Sequence, residues 1–473
     1  MRARLIRAAV LAAALGCLAP ASAASAAAST EALPKINNVF VIVLENENAA
    51  DTFGPASPAP YLAQELPAKG ALVPNYYAIG HLSLDNYVAM VSGQAPNVLT
   101  QADCIFYSDF IPGIPTADGQ VLGTGCVYPA PAVQTVANQL EDSGLSWKGY
   151  MEDMAAKAPQ EPASCRHPSV GSFDNTQSAE VGDQYAARHN PFVYFHSIID
   201  SPTCQQNDVD LSELGGDLEQ RGTTANYNFI SPNLCNDGHD EPCIDGQPGG
   251  LAQADGWLRA NLPPILDSPA YKRHGLVIIT FDEAESGGAE ADSSACCAEP
   301  AGPNTPSPGG PTPGPGGGRV GAVMLSPCIR SGTVSESDYN HYSMLRSIED
   351  NFSLPHLGYA GQEGLQPFGT DIFNRPDCRE KMHLRARPRK ATSGSRQTFR
   401  FSVRSTYARC RRGVEVKLID PSHPGRPKGA GRRARTKRNG KAEINTFLRK
   451  PGLLRARVNK KGCVTDSVPI RVR

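Results

Sequence analysis

Apolar and polar positions follow two different rhythms along this chain. Over roughly the first three quarters, unbroken apolar runs alternate with longer stretches of helical spacing. Val39–Leu44, Tyr227–Ile230 and Gly275–Phe281 are short and rich in β-branched and aromatic residues. Runs of this kind predict strands buried on both faces, as in a parallel sheet. Leu145–Tyr150, Phe192–Phe195 and Val320–Leu325 read as further strands, and Val133–Ser143, Leu211–Gln220, Leu251–Leu262 and Tyr342–Asn351 as helices. Strands alternating with helices predict an α/β domain with a mostly parallel sheet. The last part of the chain changes to a period of two. Thr398–Val403, Val414–Leu418, Ala442–Phe447 and Leu454–Val458, separated by turn residues, predict a small all-β sandwich of immunoglobulin-like type.

Charge sharpens the division. The formal net charge is only −1, yet residues 379–473 hold 29 Lys/Arg against 5 Asp/Glu, leaving 17 basic and 42 acidic residues in 1–378. An acidic body over 30–377 and a basic module over 378–473 are therefore expected. Ala301–Gly318 is rich in Pro and Gly and nearly uncharged; it reads as a flexible loop between two core strands, because Val320–Leu325 resumes the strand pattern. The basic run Lys428–Lys441 reads as a solvated loop.

Residues 1–28 carry the marks of a secretory signal. Arg2, Arg4 and Arg7 precede the apolar run Ala8–Leu18, and small residues follow. Ordinary cleavage fits better than lipidation at Cys17. Without Cys17, twelve cysteines remain, an even number that in an exported chain implies disulfides. Cys410 and Cys463 are candidates to staple the tail, with Cys378 as a rival, and the adjacent Cys296 and Cys297 are expected to take different partners. No paired CxxC spacing suggests a zinc–thiolate site.

Candidate chemistry lies where the apolar runs stop. The first ends at Glu45-Asn46, another at Asp282-Glu283, and a third leads through Ser231-Pro232-Asn233 to Asn236-Asp237-Gly238-His239-Asp240. Ligands in open α/β sheets bind outside the carboxyl ends of strands, so three clusters of oxygen and imidazole donors suggest a metal site at one sheet edge. Polar loop composition alone would explain any one cluster. His81-Leu82-Ser83-Leu84-Asp85-Asn86-Tyr87 offers a serine that needs a base or metal to become a nucleophile. Asn86 and His81 are placed to contact the same anion, and Ser83 would serve equally as a helix cap. His189 and His196, flanking the strand read at 192–195, are expected to be structural.

These residues carry a resemblance. Glu45-Asn46 with Phe53-Gly54 resembles the ENxSFDxxFG opening of the bacterial phosphoesterase family, secreted acid phosphatases and phosphatidylcholine-type phospholipases C of the alkaline phosphatase superfamily. Ser83–Tyr87 resembles the nucleophile segment, a Ser or Thr followed three residues later by Asn. Ser231–His239, Thr280–Glu283 and Asn340–Arg346 resemble further blocks in the same order, over about residues 36–357. The resemblance implies a three-layer α/β/α sandwich of alkaline-phosphatase type and a divalent metal held by Glu45, Asn46, Asp282 and Glu283, with Ser83 as nucleophile and further ligand. It further implies that His81, His239 and His341 bind phosphoryl oxygens or protonate the leaving group. Asp237 would be a second-metal ligand or a partner orienting His239. The loop after Asn46 departs from the family, with Glu47-Asn48-Ala49-Ala50 in place of Arg/His-Ser-Phe-Asp, and Asp85 replaces the usual proline. Sulfatases are discounted because Ser83–Tyr87 lacks their arginine.

The expected protein is thus a secreted, metal-dependent phosphoesterase. A phosphomonoester substrate is preferred because the body shows no long exposed apolar segment for gripping lipid; phospholipase C is the alternative. A catalytically dead cell-surface binding protein is the rival of another class. The basic tail suits anionic lipid or cell-wall polymer. It lacks the interleaved aromatics of a single-strand platform, so no nucleic acid is expected. Metal identity and oligomeric state are left open.

Overall fold

A computed structural model describes residues 34–473 except 376–377, 379–380, 406–409, 420–431 and 461–462. The signal-like residues 1–28 and the first four residues, 428–431, of the basic run 428–441 thus fall outside the described residues. Eight strands form the central sheet: β1 (Asn38–Leu44), β2 (Ala71–Val73), β3 (Trp147–Met151), β4 (Asp208–Asp210), β5 (Tyr227–Ser231), β6 (Gly275–Phe281), β7 (Ala322–Leu325) and β8 (Thr333–Val334). Their order is β8-β2-β7-β6-β1-β5-β3-β4. Every pairing is parallel except the two made by β7. At the centre, β1 and β6 are buried along their whole length, as their unbroken apolar runs require.

Helices α1 (Ser83–Ser92), α2 (Val136–Asp142) and α4 (His341–Phe352) pack on one another, while α3 (Gly250–Asp267) packs with Tyr61–Glu65 and Leu214–Leu218. Two separate helical groups thus accompany one mostly parallel sheet, an α/β architecture. Asn340 starts α4 by accepting a hydrogen bond from the Ser343 N–H at 2.9 Å. His341 is therefore the first helical residue and not the cap.

Several expectations change. Residues 192–195 are not a strand: Pro191–Tyr194 is a 3₁₀ turn, started by Pro191 and by the Asn190 side chain accepting from the Phe192 N–H. An apolar run this short suits a buried turn as well as a strand, and proline decides for the turn. Leu211–Gln220 breaks into a 3₁₀ turn and the short helix Leu214–Leu218, with Gly215 and Gly216 inside it. Residues 301–318 are irregular but anchored. Gln101 Nε2 donates to the Ser307 and Pro308 carbonyls, both at 2.8 Å, and Asn304 Nδ2 donates to the Val121 carbonyl at 2.7 Å.

All twelve cysteines outside the first 28 residues are paired: 104–126, 165–204, 235–243, 296–297, 328–378 and 410–463. Cys296 and Cys297 thus bond to each other, contrary to expectation; left-handed backbone at Cys297 (φ 68°) and Ala298 (φ 51°) turns the chain there. Cys410 and Cys463 staple the tail, and Cys378 takes Cys328.

The tail is a two-sheet sandwich with its own apolar cluster, including Phe399, Phe401, Val416, Ile444, Val458 and Ile470. One sheet holds His383–Arg387, Ser395–Arg404 and Lys441–Leu448; the other holds Lys390–Ala391, Asp466–Val472, Gly452–Asn459, Glu415–Ile419 and Arg433–Arg435. Arg433–Arg435, read from sequence as loop, pairs with Glu415–Lys417. Its outward faces set like charges opposite one another, Arg387 against Arg400 and Lys417 against Arg457. Among the described residues, no helix is long and apolar enough to cross a membrane.

Candidate active site

The parallel register brings the strand ends together. Leu44 lies opposite Phe281 and Ile42 opposite Ile230, so β1, β5 and β6 leave the sheet side by side. Backbone hydrogen bonds extend this beyond the strands: Asp282 N–H donates to the Leu44 carbonyl and Glu45 N–H to the Asp237 carbonyl, each at 2.9 Å. Glu45, Asp237, Asp282 and Glu283 are consequently all buried at one edge of the sheet.

Ser83 enters from the helical layer. It opens α1 after Leu82, whose φ of 61° is unusual for a residue with a side chain. The loop that imposes this conformation is clamped by Asn86. Its Oδ1 accepts from the Ile79 and Gly80 N–H groups at 2.8 and 3.1 Å, and its Nδ2 donates to the Gly80 and Leu82 carbonyls at 2.9 and 3.3 Å. Asn86 therefore has its hydrogen-bonding capacity committed to backbone and acts through the placement of Ser83 rather than as an anion donor. Asp103 Oδ1 accepts from the Leu84 N–H at 3.0 Å, fixing the first turn of α1 from outside.

Ser83 Oγ donates to Glu45 Oε1. The other oxygen of Glu45 lies 2.7 Å from His189 Nε2, and His189 Nδ1 lies 3.2 Å from Asp237 Oδ2. The imidazole is stacked on Tyr87 of α1, centroids 5.2 Å apart and planes 8° from parallel. A histidine expected to be structural thus stands at the centre of the site. The false strand at 192–195 hid it: His189 ends a 3₁₀ turn (Ala187–His189) that folds back over the sheet edge.

Burial alone would raise the Glu45 carboxyl, but His189, aided by His239 and Arg188, outweighs it and holds the group well below the ordinary carboxylate range. Burial would lower His189, yet Glu45 and Asp237 raise it to about 9, so the ring is cationic at neutral pH. Burial raises Asp237 to about 6 against the pull of His189. Burial also raises Asp282 and Glu283, with Glu45 adding to both.

The other histidines separate clearly. His81 is buried, with Nδ1 on Glu283 Oε2 and Nε2 on the Asp292 carbonyl at 3.0 Å. Burial pushes His81 down and Glu283 up. His341 is also enclosed, with Nε2 2.7 Å from the Asp282 carbonyl and Nδ1 3.2 Å from the Tyr76 hydroxyl, and burial lowers it to about 4. Neither ring has a nitrogen left for substrate. His239 is the accessible one: its side chain is 38% exposed and Nδ1 meets Asp240 at 2.8 Å. Burial acts to lower it, while Glu45, Asp240 and Asp237 together raise it. His196 pairs with Asp109 and Asp200 on the surface, as a structural residue would.

The donor set fits a divalent cation. Asn46 Oδ1 and Asp282 Oδ2 are buried without a hydrogen-bond partner, and Glu45 Oε2 and Asp237 Oδ2 are met there by His189. Orphaned acceptors at this density are costly unless a cation satisfies them. Glu45, His189 and Asp237 place ligand atoms within 4.8 Å of one another. Asp282 approaches from the side, with its Oδ1 accepting from the Asn46 and Glu283 N–H groups at 3.2 and 2.7 Å. The Glu283 carboxylate, by contrast, is engaged by His81. Carboxylates and an amide oxygen suit a hard divalent ion.

The sequence pattern of the Phosphoesterase family matches residues 37–355, which span every residue of this site. The chain belongs to that family. Among curated relatives, the probable acid phosphatase of Kluyveromyces lactis is 26% identical over 350 residues, 71% of this chain and 64% of its own length. The phosphatidylinositol-3-phosphatase of Mycobacterium tuberculosis is 25% identical over 345 residues, 73% of this chain and 85% of its own length. The chain therefore spans less than two thirds of the Kluyveromyces relative. Among solved structures, a protein of the alkaline phosphatase superfamily from Vibrio parahaemolyticus is similar over 79% of each chain, at 12% identity and a TM-score of 0.38. Within this phosphoesterase, Arg188 and Asp103 are buried or nearly so beside the site, and neither stands out in the sequence. Arg188 approaches Asp103 at 3.8 Å and donates to the Gln177 carbonyl at 2.9 Å.

Proposed function

We propose that this chain is an extracellular phosphatase that cleaves phosphate monoesters through a phosphoserine at Ser83. The observation that carries the reading is the chain of contacts Ser83–Glu45–His189–Asp237, which joins a serine hydroxyl to an ionised carboxylate and places a cation behind it. A serine needs such a partner to become a nucleophile. Ser83 Oγ attacks phosphorus as its proton passes to Glu45. The bond from phosphorus to the ester oxygen breaks, and His239, the exposed imidazole, protonates the departing alcohol. Water then attacks phosphorus and gives its proton to the now neutral His239, the Ser83–phosphorus bond breaks as Ser83 takes back its proton from Glu45, and inorganic phosphate leaves. A divalent metal held by Glu45, Asn46, Asp237 and Asp282, with His189 beside it, would screen phosphoryl charge and favour the serine alkoxide. Asn86, Leu82 and Asp103 position Ser83; His81 and His341 hold Glu283 and the Asp282 backbone in place.

The acid phosphatase relatives support a monoester substrate, and the disulfides support an oxidising compartment. The Mycobacterium relative, named for a phosphatidylinositol phosphate, supports a monoester carried on a lipid headgroup over phospholipase C cleavage. A dead binding protein would need none of the buried donor set. The test is turnover of p-nitrophenyl phosphate and bis(p-nitrophenyl) phosphate by the oxidised chain, with and without chelator. Monoester turnover that chelator abolishes, divalent metal restores and Ser83→Ala lowers at least ~10³-fold is expected. No turnover with any divalent metal resupplied would sink the reading.

A further inference from the structure

Nine of the thirteen large apolar side chains exposed among the described residues lie between Val98 and Val181. Six of them stand on or beside two short antiparallel strand pairs, of which the second is a hairpin. Phe106–Tyr107 pairs with Ser172–Phe173, and Ile111–Pro115 pairs with Val121–Thr124. Ile105, Phe106 and Phe173 occupy the first, and Ile111, Ile114 and Leu122 the second, at 40–69% exposure. The Phe106 and Phe173 rings meet edge to face at 5.3 Å, and Ile114 lies opposite Leu122. Single exposed apolar residues need no explanation; a concentration of them on one segment marks an interaction surface.

The exposure is not looseness. Cys104–Cys126 cross-links the two strand pairs, just before Phe106 and just after Thr124; Tyr107 is buried, and Phe110 stacks on Tyr128 with centroids 4.8 Å apart. The same frame reaches the nucleophile. Asp174 N–H donates to the Ile105 carbonyl, Gln177 Nε2 donates to the Asp103 carbonyl, and Asp103 holds the first turn of α1 through the Leu84 N–H.

We propose that this apolar face docks on a phospholipid bilayer containing anionic lipid. Charge complementarity chooses the occupant, since residues 379–473 carry 29 Lys/Arg against 5 Asp/Glu. Such a module is drawn to an anionic leaflet. The apolar strand pairs add what charge cannot, burial of aromatic and aliphatic surface in the headgroup–acyl boundary. Asp118 in the hairpin's turn, and Asp109 just before its first strand and paired with His196, resist an anionic surface, so charge alone would not seat this face. That the bilayer presents a phosphomonoester to Ser83 rests on the phosphatase reading; the docking face itself does not.

The test is flotation of the full oxidised chain with vesicles of phosphatidylcholine mixed with phosphatidylserine, beside the triple variant Phe106→Ser/Ile111→Ser/Phe173→Ser. The parent is expected to float with the vesicles and the variant to partition at least ~10-fold more weakly, as loss of three inserted side chains implies. An unchanged thermal midpoint and near-ultraviolet circular dichroism show that the variant is folded. Equal binding by both proteins would assign adhesion to the tail alone and overturn the proposal, as would a parent that stays unbound. A parent that floats but turns over no soluble phosphate ester would overturn the phosphatase reading and leave the docking face standing.

Discussion

Around Ser83, five carboxylates (Glu45, Asp85, Asp237, Asp282 and Glu283) are buried against one another, while the tail sandwich lines up arginines and lysines in the open. Both arrangements put like charges close together, but the consequences differ. In the body the surroundings exclude water, so each carboxylate must gain a proton, a histidine or a metal, and the network is poised for chemistry. In the tail water screens the charges, each pair costs little, and the result is a field felt by distant partners. The same electrostatics makes a site in one region and a surface in the other.

The comparison breaks most sharply at Glu45. Glu45→Gln, which removes the acceptor for the Ser83 proton and a metal donor, should lower kcat at least ~10³-fold, whereas Arg400→Gln in the tail should leave turnover of a soluble ester unchanged. Isothermal titration of divalent metal should show weakened binding in Glu45→Gln and none of that change in Arg400→Gln. Next in size, His189→Ala should cost ~10²–10⁴ in kcat. Its far-ultraviolet circular dichroism should match the parent's. His341→Ala should instead show mainly a lower thermal midpoint, because both its nitrogens serve the scaffold.

A smaller effect sharpens the burial side. Glu349 is buried on α4, accepts from the Leu357 N–H at 2.8 Å, and burial raises it to about 9. The folded protein then binds a proton that the unfolded chain, with an ordinary carboxyl near 4.5, releases. Between about those two values stability must fall as pH rises. Thermal midpoints measured from pH 5 to 9 should decline less in Glu349→Gln than in the parent; parallel declines would reject the assignment. The smallest effect belongs to the tail. Arg387→Glu places a carboxylate opposite Arg400 and should stabilise the sandwich by ~0.2–1 kcal/mol, a gain that about 1 M salt removes.

Much of the fold is legible in the residues because period and burial agree. The runs at Val39–Leu44 and Gly275–Phe281 can only be strands covered on both faces, and the polar residues at their ends, Glu45 and Asp282, converge because parallel strands all exit one edge. What the pattern does not carry is anything set by a turn. His189 lies on a turn whose direction follows from Asn190 and Pro191, next to an apolar run that imitates a strand. Asn86 matches a family motif, yet only the positive φ at Leu82 shows why its amide is spent on backbone. Cys296 and Cys297 could be seen to pair only once the other ten were accounted for. The exposed apolar strand pairs escaped notice because their residues are spread over 105–173, and folding sets Phe106 against Phe173 and Ile114 opposite Leu122.

The Cys328–Cys378 bridge, described above as one pairing among six, also sets the molecule's covalent topology. A protease cutting between residues 329 and 377 leaves two fragments that travel as one on a non-reducing gel, so the acidic body and the basic tail stay joined. A cut after Cys378 and before the tail's first strand at His383 separates them without reductant. One backbone position therefore decides whether nicking merely opens a ring or sets free a small, strongly cationic protein.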